Sequence, residues 1–276
     1  VPEFIMLSRA FFAFTLVLPA TAAQAYVLKT TDAGESVRWT EVPVHFAVST
    51  AGARDLGLEE ARAAVRQAFG PWTQAGGTAL TFAEDAPTTR AVGFEPGGDN
   101  QNVIAWSRDA WPFEPDALAM TVTAFQEKSG KLVDADILIN EEDYVWGVGA
   151  SAENDLVNAL THEVGHFIGL GHSEDPEATM FARAEPFETE KRTLSADDRA
   201  GVAALYPGGS VAVPGGSTQT TSASTVAPGV PRTQATVPEP VAPRVKIRTG
   251  CAQTNGDASA LWAFALLAGF IRRRRN

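Results

Sequence analysis

Between Tyr26 and Pro207 the apolar positions recur at two spacings, and each predicts its own kind of element. Alternating or β-branched runs at Val42 to Ser49, Leu80 to Ala83, Asn102 to Trp106, Met120 to Phe125 and Val133 to Asn140 fit strands, in which every second side chain faces the core. From Leu58 to Ala75 the residues Ala61, Val65, Ala68, Phe69 and Trp72 lie near one face of a helix. A second helix is predicted from about Ala152 to Ile168, carrying Leu156, Leu160, Val164 and Phe167 at helical spacing. A third should follow Ser195, where Ser195-Ala196-Asp197-Asp198 has the form of a capping box with Asp in place of Glu. Helices and strands are mixed, so the expected class is α+β or α/β, a single globular domain over residues 26–208.

The pattern breaks at both ends. Arg9 precedes a run of apolar residues from Ala10 to Leu18, and Ala23-Gln24-Ala25 offers a small-x-small cleavage site. Residues 1–25 therefore read as a secretory signal peptide, with Tyr26 as the mature N-terminus. A run from Ala10 to Leu18 spans about 14 Å as a helix, too short to favour an uncleaved anchor. Val1 to Ile5, ahead of Met6, are left out of the fold reading as an artefact or a misassigned start. Residues 209–249 are rich in Gly, Pro, Ser, Thr, Ala and Val with hardly an aromatic, and cannot bury enough apolar surface to offset the entropy of ordering them. They read as a disordered linker or stalk.

Residues 250–276 run from Gly250-Cys251 through an apolar stretch, Ala258 to Ile271, to Arg272-Arg273-Arg274-Arg275. That stretch makes about 21 Å of helix against a hydrocarbon core of roughly 30 Å. The order Gly-Cys, apolar run, arginine cluster resembles the C-terminal sorting tails of myxobacterial surface proteins, which implies processing near Gly250-Cys251. A frayed helix or a plain tail anchor is the alternative.

Composition narrows the partners. A formal charge of −11 disfavours nucleic acid or an anionic membrane surface, which need a basic face. Any membrane contact would come through the C-terminal tail alone. With one cysteine, Cys251, no intramolecular disulfide can form, and a monomer is the default state.

The chemistry is concentrated in Thr161-His162-Glu163-Val164-Gly165-His166-Phe167-Ile168-Gly169-Leu170-Gly171-His172-Ser173. His162 and His166 are four apart, so on a helix they share a face about one turn apart and both imidazoles can reach one ion. Glu163 then points beside that ion, where a bound water would lie. The helix itself cannot deliver a third ligand so soon. Gly169 tolerates the positive φ of a turn, and the turned chain brings in His172. Three neutral imidazoles leave a fourth position for water, the arrangement of a catalytic zinc site, with Glu163 as general base. With only four histidines in the chain, chance placement of three of them, the Glu and the Gly at these offsets has a probability on the order of one in a hundred thousand. Core histidines satisfied by hydrogen bonds are the competing reading. His45 lies in a predicted strand and reads as structural.

H-E-x-x-H-x-x-G-x-x-H is the signature of the metzincin metallopeptidases, and Ser173 after the third histidine, followed by Pro176, Ala178 and Met180, resembles the matrixin branch. The resemblance covers roughly residues 30 to 207. It implies a twisted mixed sheet with an active-site helix and a C-terminal helix, a Met-turn at Met180 beneath the imidazoles, and a specificity pocket lined by the loop from Phe181 to Thr193. Leu194 to Asp198, Tyr206, Val37-Arg38-Trp39 and Val133 to Ile137 resemble flanking segments of the same family. There are also departures. Cys251 is the only cysteine and follows the motif, so the thiolate that keeps animal matrixins latent has no counterpart ahead of it. No histidine lies between His45 and His162, so one zinc is expected. Phe181-Ala182 follows Met180, where the astacin tyrosine ligand has no match. Calcium would suit the hard carboxylates Asp134 and Asp136, or a site near Asp99; solvated strand-end acids are the alternative.

The expected function is a secreted or surface-displayed bacterial zinc endopeptidase acting on protein or peptide. The alternatives are a zinc hydrolase of a non-protein amide, such as a cell-wall crosslink, and a zinc-bound module that holds peptides without cutting them.

Overall fold

The computed structural model describes residues 25–208 and 245–253. The proposed signal peptide up to Gln24, most of the linker (209–244) and the apolar and arginine parts of the tail lie outside the described residues. Strands β1 (Val44–Val48), β2 (Phe82–Glu84), β3 (Val103–Ser107), β4 (Ala117–Gln126), β5 (Leu132–Asn140) and β8 (Val245–Gln253) form one sheet in the order β2-β1-β3-β5-β4-β8. Pairings from β2 across to β5 are parallel, whereas β4 runs antiparallel to β5 and to β8. A small parallel pair, β6 (Trp146–Gly147) and β7 (Asn154–Asp155), leads into the second helix. The class is mixed α and β, as the spacing predicts.

Helix α1 (Leu58–Thr73) buries Ala61, Ala64, Val65, Ala68, Phe69 and Trp72. Its face is built from rings: Phe69 stacks on Phe46 at 4.1 Å and meets Phe82 and Phe167 edge-on at 4.8 and 5.4 Å. It stops two residues after Pro71 and short of the predicted Ala75, and Gly76 and Gly77 then both take positive φ. Helix α2 (Leu156–Phe167) is buried at every position. It starts later than the periodicity suggests because Asn154 and Asp155 pair as β7, and because the Asp155 side chain caps the helix by accepting from Asn158 N at 2.8 Å. Helix α3 (Ala196–Leu205) opens with the expected capping box: Ser195 Oγ accepts from Asp198 N, and an Asp198 carboxylate oxygen accepts from Ser195 N.

β8 was not foreseen. Val245 to Thr249 fall in the stretch read as linker, and the strand continues through Gly250-Cys251. Hydrophobic alternation in so short and cationic a segment is weak, and the strand exists by pairing with β4. Among the described residues no helix is long and apolar enough to cross a membrane.

Candidate metal centre

α2 is fixed before its ligands are. Trp72 Nε1 on α1 donates to Thr161 O at 2.9 Å, and the last carbonyls of α2, which have no partner within the helix, are met from outside. Trp39 Nε1 donates to Phe167 O at 3.0 Å, the Tyr206 hydroxyl donates to Ile168 O at 2.6 Å, and Lys29 Nζ reaches His166 O at 3.4 Å. Burial pushes the Tyr206 phenol well up, so it stays a donor. These contacts hold the point at which the chain must turn.

Gly169 turns it, at φ 106°, and a Cβ there would lie 2.0 Å from Val37 O. No other residue fits both the conformation and the space. Leu170 N returns to Gly165 O at 2.9 Å, Gly171 N donates to Val27 O at 2.7 Å, and His172 arrives opposite the helix. The imidazoles of His162, His166 and His172 then face one another, with ring centroids 4.7 to 5.2 Å apart. Their ligand-capable atoms all lie within 4.8 Å, and this is the one group of three or more metal-ligand side chains found among the described residues.

Tautomers follow from the carbonyls. His162 Nδ1 donates to Thr179 O at 2.7 Å and His166 Nδ1 to Leu170 O at 2.8 Å, so each presents an Nε2 lone pair inward. His166 Nε2 and His172 Nε2 are 3.1 Å apart, close to the roughly 3.3 Å expected for two nitrogens on one tetrahedral zinc. Burial first, and then the Lys29 charge and the two neighbouring imidazoles, hold the His166 pKa well below its ordinary value. The ring is therefore neutral, as a ligand must be. This donor set fits zinc.

Glu163 is fully buried beside the first ligand. Its Oε2 lies 2.5 Å from Thr121 Oγ1 on β4, and the same hydroxyl is 3.0 Å from Glu163 O. Sequence reading gave Thr121 no role, since an alternating strand shows nothing of its partner across the fold. Met180 is buried against α2 at Gly165. A Cβ on Gly165 would be 2.1 Å from Met180 Sδ and 2.9 Å from Trp72 Cζ2, so only glycine permits this approach. A glycine inside a helix costs about 1 kcal/mol against alanine, and that local expense was the available signal.

Asp198 does more than cap α3. Its Oδ1 accepts from Met180 N at 3.0 Å, and its Oδ2 from Thr179 N at 2.7 Å as well as from Ser195 N at 2.8 Å. Since Thr179 O orients His162, one buried carboxylate ties the closing helix to the turn beneath the ligands. Its neighbour Asp197 accepts from Ser173 Oγ and from the backbone N–H groups of Ala25 and Tyr26, all at 2.8 Å.

The remaining candidates lie elsewhere. His45 stands on β1 and contacts Asp85 at 2.8 Å, outside the histidine group. Asp134 and Asp136 are buried on β5, whereas Asp99 is exposed and paired with Arg90 at 2.6 Å.

Fold and geometry together bring three histidines and an adjacent carboxylate onto one helix and the turn after it, a donor set of the kind that catalytic zinc sites use. Residues 38–207 match the matrixin family, and the chain belongs to it. It is 31% identical over 172 residues to Metalloendoproteinase 1-MMP of Arabidopsis thaliana, covering 61% of this chain and 44% of that protein. Human Matrilysin is 35% identical over 98 residues, covering 36% of this chain and 35% of its own, and human Matrix metalloproteinase-16 is 30% identical over 155 residues, covering 55% and 24%. The chain thus spans less than half the length of these relatives.

Proposed function

We propose that this chain is a zinc-dependent endopeptidase that hydrolyses peptide bonds with Glu163 as general base, residues 26–208 forming the catalytic unit. The observation that carries the reading is the convergence of three imidazoles, two of them oriented by backbone carbonyls, beside one buried carboxylate. His162, His166 and His172 would hold one zinc. When bound, the ion would supply Lewis acidity, lowering the pKa of a water and polarising the scissile carbonyl. Glu163 accepts the proton of the attacking water and passes it to the leaving amine, so no covalent enzyme intermediate is needed. The Thr121 hydroxyl positions the carboxylate through Oε2, and Met180 and Gly169 shape the support beneath the ligands.

The purified protein is expected to contain about one zinc per chain and to cleave casein, with activity abolished by a zinc chelator and restored by added zinc. One zinc with no cleavage of casein or peptides, but release from cell-wall material, would favour the non-protein amide reading instead.

The same reading places the enzyme outside the cytoplasm, as a monomer, acting on protein or peptide either secreted or at a bacterial cell surface. The charged and apolar order of residues 1–25 and the sorting-tail resemblance of residues 250–276 support export.

Calcium at Asp134 and Asp136 belongs here too. Asp134 Oδ1 is buried with no hydrogen-bond donor among the described residues, while both Asp136 oxygens take backbone N–H groups, from Val103 and Gly93. Burial, and then the neighbouring Asp136 charge, raises the Asp134 pKa; burial also raises that of Asp136 against those two donors. Folded carboxyls with raised pKa values bind protons that the unfolded chain has already lost. In calcium-free buffer, the contribution of these two carboxyls to stability is therefore fully present near and below the ordinary carboxylate pKa of about 4 and is lost as pH rises towards neutrality. Asp134→Asn should flatten that fall, measured as Tm between pH 5 and 8. Calcium should raise the Tm of the parent protein at pH 7 and leave that of Asp134→Asn unmoved; no calcium response in the parent would remove the ion from this site.

A further inference from the structure

β4 is the strand that reaches the metal centre, because its Thr121 holds Glu163 and the sheet beyond it would otherwise end. An edge strand offers a row of unpaired N–H and C=O groups, and extended peptides dock by completing that ladder. Here the ladder is already completed. Val245–Gln253 pairs antiparallel along the full length of β4, from Gln126 opposite Val245 to Ala117 opposite Gln253.

The register puts Gly250 opposite Thr121, the residue that holds the general base. A Cβ on Gly250 would lie 2.8 Å from His166 Cγ and Cδ2 and 3.0 Å from Nδ1, so the bare backbone of Gly250 rests on the ring of a metal ligand. Any peptide that brought an amide carbonyl to Glu163 along this edge would need the same space.

Polar contacts fasten the segment at its start. Lys246 pairs with Asp32 and, at 3.2 Å, with Glu127. Arg248 pairs with Asp32 at 3.1 Å, donates to Thr30 O at 2.8 Å and lies over the Phe125 ring at 5.4 Å from its centroid. Thr123 Oγ1 donates to Arg248 O at 3.2 Å. The acidic groups belong to the catalytic unit and the basic ones to the strand, a complementarity that fixes which segment docks and in which register.

We propose that Val245–Gln253 is an intramolecular blocking strand that occupies the substrate edge of the metal centre and must leave before a peptide can bind. This rests on the endopeptidase reading above. Tethering through residues 209–244 gives the strand a local concentration on the order of millimolar, so it competes with substrate without needing high intrinsic affinity.

The test uses the full chain with two independent openings: Gly250→Val, which drives a branched side chain into the His166 ring, and the pair Lys246→Glu with Arg248→Glu, which sets like charges against Asp32 and Glu127. Both are compared with the parent by cleavage of a fluorogenic peptide, by hydrogen exchange across residues 117–126 and 245–253, and by zinc content. The expected result is slow cleavage and protected amides in the parent. Each variant should show at least about tenfold higher kcat/KM, mainly through a lower apparent KM, with lost protection and equal zinc. Measurable cleavage by the parent, matched by equal rates in the variants with protection lost, would overturn the proposal, and so would an unprotected β4 edge in the parent. Rapid self-cleavage of the parent within residues 245–253, seen by mass spectrometry, would also overturn it, since the strand would then be a substrate. Loss of protection in the variants with no cleavage by any of them would support the docked strand and count against the endopeptidase reading.

Discussion

Glu163→Gln is expected to lower kcat on a peptide substrate by about 10²- to 10⁴-fold while zinc content stays at that of the parent. The substitution keeps the shape of the side chain, and its carbonyl oxygen can still accept from Thr121 Oγ1, so the position beside His162 is retained. What is lost is the capacity to take a proton from water and return it to the leaving amine. Steady-state kinetics with elemental analysis separate the two effects. A fall in kcat at constant zinc and nearly constant KM is the signature of a group used in the transition state, and an unchanged kcat would remove Glu163 from the mechanism.

Asp198→Ala is expected to cost about 3–5 kcal/mol of stability and to weaken zinc binding as well. The carboxylate accepts from the backbone N–H groups of Thr179, Met180 and Ser195, and the first two residues are essentially without solvent exposure. Truncation would leave those donors buried and unmet, at about 1–3 kcal/mol each with partial relaxation. Thr179 O would lose its anchorage and with it the orientation of His162. Urea unfolding of the zinc-loaded protein measures the first effect, and competition with a chromophoric chelator the second. Asp198→Asn should recover part of both, because one amide oxygen can still accept. A purely local cap on α3 predicts about 1 kcal/mol and no change in zinc affinity, and that result would detach Asp198 from the metal centre.

The grouping of His162, His166 and His172 beside Glu163, proposed above as ligands and base, is the part of this protein that its sequence determined by itself. Offsets of four between His162 and His166, and six from His166 to His172 across Gly169, are statements about one helix and one turn, and local geometry is short-range enough to be read from spacing. The same holds for the capping box at Ser195 and for the presence of the strands, although β4 and β5 are buried at nearly every position rather than at alternate ones, because both of their faces are covered. Met180 became legible through family resemblance rather than spacing, because what matters about it is the approach to Gly165 across the fold.

Tertiary structure alone decided the rest. Thr121 meets Glu163 over 42 residues of separation, and Asp198 meets Thr179 and Met180 through a turn whose path no periodicity encodes. The clearest case is Val245–Gln253. Its composition gives it no core of its own, so its conformation is supplied by the unpaired edge of β4 and by Asp32, Glu127 and Phe125. A strand of this kind owes its structure to its partner's hydrogen-bonding groups rather than to its own side chains, and a sequence read in isolation contains no record of which edge is open.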